Sequence, residues 1–154
     1  MKFLRNLVTH AVVLVIGFML GIYFLPIFTA PEAPSISDIQ TTDQVLYRGA
    51  FKKDLPGSDL FHWGEGALSI TPSAINFIGS IAPGPDYQLY LTENLIESEQ
   101  AFLSVKEQSL KVGPVKTFDN FIVPMSDSTV LKKYTAVLIW CESFSKYITA
   151  ASYR

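Results

Sequence analysis

The sequence predicts an all-β domain, a β-sandwich or small barrel of about seven to eight strands, preceded by one N-terminal transmembrane helix. Three observations predict it. Hydrophobic residues make up 49% of the 154 residues, but they crowd the start: 70% of residues 1–30 against about 44% of the rest. Beyond residue 44 the apolar residues fall into short runs broken by Gly, Pro, Asn and Asp, the pattern of strands and turns. Outside the first 30 residues, only Ser128–Tyr134 reads as a convincing helical turn, with Ser126 or Asp127 available as its cap.

Taken in order, the first element is the anchor. Residues 1–6 form a short N-terminal segment, and residues 7–28 contain no Asp, Glu, Lys or Arg. At 1.5 Å per residue that run is roughly 33 Å of helix, close to the ~30 Å of a bilayer core. Pro26 stands near its exit, where a helix would end. Lys2 and Arg5 precede the run, and Glu32 and Asp38 follow it. The positive-inside bias therefore predicts a cytoplasmic N-terminus and a domain on the periplasmic or extracellular side. An uncleaved anchor is favoured over a cleaved signal peptide. The run is longer than a signal's apolar region, and Phe28-Thr29-Ala30 puts a bulky residue at the −3 position. Gly17-x-x-x-Gly21 offers a weak dimerisation face. His10 lies one turn into the helix, as an interfacial ring and not a proton relay.

Residues 29–43, with two Pro and many small polar residues, read as a flexible linker without a core of its own. If extended, it reaches at most about 45 Å. The domain, 44–154, then carries strands over Val45–Lys52, Gly66–Thr71, Ala74–Gly79, Tyr87–Thr92, Phe118–Val123, Ala136–Cys141 and Lys146–Tyr153. Each is rich in β-branched and aromatic residues. Thr71-Pro72-Ser73 makes a tight connection, and Ala82-Pro83-Gly84-Pro85-Asp86 makes a break, because two Pro cannot sit in a central strand. Glu93–Ser109 fits either another strand or a frayed helix.

Composition excludes several functions. One Cys rules out a disulfide framework, a Cys-rich zinc site and a c-type haem attachment. Beyond the anchor stand 10 Lys/Arg against 14 Asp/Glu, a mildly acidic balance unsuited to nucleic acid. No phosphate loop, nucleophile elbow or dinucleotide fingerprint is present. The single thiol, Cys141, closes the strand Ala136–Cys141. Alternation places Val137, Ile139 and Cys141 on one face and Leu138, Trp140 and Glu142 on the other. A free Cys is most often a small buried hydrophobe. Outside the cytoplasm, however, a lone thiol is open to oxidation unless it is used or shielded. Its place at a strand end suggests partial exposure, and the neighbouring Glu142 is expected to raise its pKa.

Four segments together resemble the DM-thirteen domain, an electron-transfer module found beside DOMON-type haem-binding domains. They are Arg48-Gly-Ala-Phe51; His62-Trp-Gly-Glu-Gly66 followed by Ala67-Leu-Ser-Ile70; Gly84-Pro-Asp86 followed by Leu89-Tyr-Leu91; and Val137-Leu-Ile-Trp-Cys-Glu-Ser-Phe144 with Ala150. They span about residues 45–154 in family order. One segment departs from the pattern. Lys111-Val-Gly-Pro-Val-Lys116 is close, but Thr117-Phe-Asp-Asn-Phe121 replaces the family's Gln and Tyr.

The resemblance implies redox work centred on Cys141, either as a bare thiol or as a ligand to a group such as haem. His62, the single His of the domain, is the candidate partner: it would lower the thiol pKa or add a second ligand. Read without the family, His62 is a turn residue, Asp86 caps a turn, and Trp63 and Trp140 pack. No metal site is expected from two ligands. The reading is a membrane-anchored electron-transfer or thiol redox module that works with a partner protein and is not a stand-alone enzyme. The alternative is a non-redox binding module of the cell envelope with a structural Cys141.

Overall fold

In the computed structural model, residues 1–40 and 44–154 are described, and the last three residues of the expected linker lie outside them. Helix α1 runs over Lys2–Thr29 and is long and apolar enough to serve as a membrane span or a signal sequence. It starts five residues before the charge-free run and does not stop at Pro26. Proline's missing N–H would otherwise bond the carbonyl four residues back, and helices of this apolar type tolerate that loss. One turn later the Thr29 hydroxyl donates to the Leu25 carbonyl at 2.8 Å.

The domain is a sandwich of two antiparallel four-stranded sheets, ordered β1-β2-β3-β6 and β5-β4-β7-β8. The strands are β1 Tyr47–Phe51, β2 Gly64–Ile70, β3 Ala74–Ile81, β4 Tyr87–Thr92, β5 Leu110–Val115, β6 Phe121–Pro124, β7 Ala136–Cys141 and β8 Lys146–Ser152. The sandwich alternative is therefore the one adopted. Strands β4 and β7 keep the expected bounds, and the rest shift by a few residues. Strand β5 was not expected, because Gly113 and Pro114 break its pattern. It forms because it is the outermost strand of its sheet, where a missing N–H costs no ladder bond on the open side.

Two cores result. The inner faces of both sheets meet around Phe77, Leu89, Ile139 and Ile148. A second core of Tyr90, Phe102, Leu138, Trp140 and Tyr147 lies on the outer face of the β4-β7-β8 sheet. Every residue of β7 is buried, so that strand needs cover on both faces. The cover is α3, Glu99–Val105, which resolves the ambiguous stretch as helix followed by a 3₁₀ turn at Lys106–Gln108. The Ser98 hydroxyl caps it by accepting from Ala101 N at 3.3 Å. Ser128–Lys132 is a 3₁₀ turn capped by Asp127, which accepts from Thr129 N at 2.8 Å.

Ser128–Tyr134 is thus not alone as helix outside the first 30 residues. Besides α3, a short helix α2 occupies Ile36–Gln40. Its Ile39 is 5% exposed against β3, and the Asn120 side chain donates to the Pro34 carbonyl at 3.3 Å. The described part of the segment after α1 is therefore strapped to the domain. A single apolar side chain with a ready slot is enough to pin so short a stretch.

In the first sheet, Gly66 and Gly79 face each other across β2 and β3 with φ of +151° and +157°. A Cβ on Gly79 would lie 2.2 Å from the Glu65 carbonyl oxygen, and one on either glycine 2.7 Å from the Phe77 ring. The pair lets two backbones and an aromatic ring share one space, and so sets the path of the chain leaving the His62 loop.

Candidate functional site

Cys141 ends β7 with its side chain on the inner face, beside Tyr87 of β4, and Leu138 and Trp140 point to the other core. The predicted alternation holds. The residue is 3% exposed, not partly open, yet it lines a cleft of about 310 Å³. Tyr87, Pro85, Phe144 and Ile148 line that cleft with it, and so does His62. The two candidate residues, far apart in sequence, therefore share one cavity.

Each side chain is held by its local sequence. In the loop before β2, the Asp59 carboxylate accepts from the backbone N–H of Phe61 at 2.7 Å and of His62 at 2.9 Å. It also meets His62 Nδ1 at 2.8 Å. This is an Asx-type turn that fixes the ring. With the proton on Nδ1 facing the carboxylate, Nε2 is left as acceptor. On the other side, Tyr87 donates from its hydroxyl to the Ala82 carbonyl at 2.8 Å. A Cβ on Gly84 would lie 2.4 Å from that hydroxyl oxygen, so the Gly-Pro-Asp turn needs its glycine to close over Tyr87.

Asp86 links two segments of the chain. Its carboxylate accepts from Gln88 Nε2 at 3.1 Å and from the Ser143 hydroxyl at 3.0 Å, while its carbonyl accepts from Glu142 N at 2.9 Å. It ties the start of β4 to the turn after Cys141. In that turn Ser145 adopts a left-handed φ of +51°.

Burial pushes the Cys141 thiol above its ordinary pKa. The Asp86 charge adds to this, and backbone hydrogen bonds at Phe144, Asp86 and Ser143 act the other way. The expected direction is right, but Glu142 is not its cause. Glu142 turns to the opposite face, where it accepts from the Tyr90 hydroxyl and from Lys106 Nζ at 2.5 Å, with Lys111 Nζ at 3.6 Å.

A family model described as Electron transfer DM13 matches residues 48–153. The chain belongs to the DM13 family. The match covers all eight strands save the first residue of β1, and leaves α1 and the strap outside it. No curated protein and no solved structure matches the chain.

In this DM13 domain, the Cys strand, the Gly-Pro-Asp turn and the His loop enclose one cleft, although they are distant in sequence. The sequence does not single out Tyr87, Asp86 and Ser143 as neighbours of Cys141, nor Asp59 as the partner of His62. The Gly-Pro-Asp motif is the signal for Tyr87 and Asp86, and the Cys segment the signal for Ser143. Trp140 packs at 0% exposure, whereas Trp63 is half-buried with Lys53 Nζ 4.3 Å from its ring centroid. His10 is served locally, its Nδ1 2.7 Å from the Asn6 carbonyl oxygen.

Among the described residues, no three His, Cys, Asp or Glu side chains cluster as metal ligands. Cys141 and His62 are the side chains of this cleft that could ligate a group such as haem.

Proposed function

We propose that the chain is a membrane-anchored thiol redox module in which Cys141 exchanges with a partner's disulfide and His62 receives its proton. The shared cleft is the observation that carries this reading: the one Cys and the one His of the domain line the same cavity. Membership of an electron-transfer family supports it. A single sulfur cannot close a disulfide within the chain, so the second sulfur belongs to the partner.

The step balances as follows. The Cys141 thiol gives its proton to His62 Nε2, and the sulfur attacks one atom of the partner's disulfide. The S–S bond breaks, a mixed disulfide forms, and the departing sulfur leaves with the electron pair. Asp59 keeps His62 in the accepting tautomer. Helix α1 spans the membrane, with Lys2 and Arg5 on the cytoplasmic side and the domain on the other.

The test is release of chromophore from an aryl disulfide by the folded full-length chain. One equivalent is expected from the wild type and none from Cys141→Ser. With His62→Gln the rate near neutrality should fall, while the alkaline rate stays, because hydroxide then replaces the imidazole. A thiol that reacts only after denaturation would overturn the proposal. That result would favour the second reading, a binding module with a packing Cys, whose supporting observation is the 3% exposure.

A further inference from the structure

We infer that the Cys141 end of the domain sits in the headgroup layer of the bilayer, with Leu60, Phe61 and Phe144 as its wetted-out apolar tip. The inference rests on α1 being a membrane span. It concerns where the cleft opens, whatever chemistry Cys141 performs.

Length is the first argument. Helix α1 has 28 residues, which is about 42 Å, well beyond the ~30 Å hydrocarbon core and close to the ~40–45 Å of core plus headgroups. Its last turn therefore lies in the outer headgroup layer when the helix spans, and the turn before it, with Tyr23, lies at the boundary with the acyl chains.

The second argument is contact. The domain touches the C-terminal half of α1 from the side. Phe61 and Tyr23 rings meet edge-on, with centroids 6.5 Å apart. Met19, Ile22 and Tyr23 line the cleft together with Cys141 and His62. Tyr23 lies six residues before the helix end, so a residue touching it sits roughly 9 Å below that end. Interfacial elements are immersed by about 5–10 Å, the same depth.

The third argument is the surface itself. At this level Leu60 is 82% exposed, Phe61 59% and Phe144 51%. Phe61 and Phe144, from two loops, line one cleft, Leu60 stands next to Phe61, and more than half of each side chain is open. They continue the lipid-facing surface of α1, none of which is buried. The occupant that matches is the boundary between headgroups and acyl chains of the chain's own bilayer. Because the tip is apolar and not basic, a zwitterionic phosphatidylcholine membrane suffices.

The test uses the full-length chain in phosphatidylcholine proteoliposomes, with brominated phosphatidylcholine as the quencher. In a Trp63→Phe background, Trp140 remains as a buried constant, and single reporters are introduced by Leu60→Trp, Leu14→Trp and Leu103→Trp. All three positions are exposed, so the fold tolerates the changes. Loss of emission is expected for Leu60→Trp and Leu14→Trp, and none for Leu103→Trp on α3. If Leu14→Trp is quenched while Leu60→Trp behaves like Leu103→Trp, α1 spans but the tip stays in water, and the inference falls alone. If Leu14→Trp escapes quenching, the spanning reading fails and takes the inference with it.

Discussion

Glu142 shows how two adjacent residues in one strand end can serve opposite faces. Cys141 faces the inner core, and Glu142 gathers Tyr90, Lys106 and Lys111 on the outer one. Burial raises the Glu142 carboxyl, but the hydrogen bonds from Lys106 and Tyr90 and the charges of Lys106 and Lys111 outweigh it, so its pKa is lowered. A carboxyl with a lower pKa folded than unfolded stabilises fully above its unfolded value, and that contribution is lost as pH falls through the folded value. Glu142→Gln should therefore cost about 1 kcal/mol at neutral pH and much less in acid. Urea titrations at both pH values will check it: a pH-independent penalty would assign the loss to packing instead. The same residue marks a limit of reading sequence. Adjacency to Cys141 suggested an electrostatic pair, while the pleat sends neighbours apart. The carboxylate whose charge acts on the thiol is that of Asp86, which is remote in sequence.

Among the elements, those with uniform side-chain chemistry were legible and those stabilised by context were not. Strands β4 and β7, built from aromatic and aliphatic runs, carry their bounds in the sequence. Strand β5, with Gly113 and Pro114, is a strand only because β4 lies beside it. Helix α3 was ambiguous because one side chain decides it. Phe102, at 0% exposure, packs against Tyr90 and Trp140 with ring centroids 5.1 and 4.8 Å away. Phe102→Ala should cost about 3–5 kcal/mol, since it removes the ring that covers Trp140. Leu103→Ala, at a 51% exposed neighbour, should cost less than about 0.5 kcal/mol. Thermal unfolding of the pair separates the two. Equal penalties would mean that α3 contributes by helix propensity and not as a lid.

For the whole molecule, the apolar helix and the all-β class were both plain in composition and patterning, and the family followed from four motifs. What the sequence did not reveal is how the parts meet, because those contacts rest on isolated residues. Ile39 is one of two isoleucines in a polar stretch, and nothing local says that it is buried while Ile36 stays open. Ile39→Ala should lower stability by about 2 kcal/mol, the low end for such truncations because the strap can peel away. Hydrogen exchange should then accelerate first at β3 and not uniformly. Exchange that rises equally across both sheets would show that the strap is not a separate unit.

Strand β5 has a consequence for assembly. An outermost strand is the natural template for annexing a foreign strand. Lys111, Gly113 and Pro114 interrupt that template with a charge, a missing side chain and a missing donor. Edge-to-edge growth through β5 is therefore disfavoured, and with it the addition of further strands to this sheet on that side.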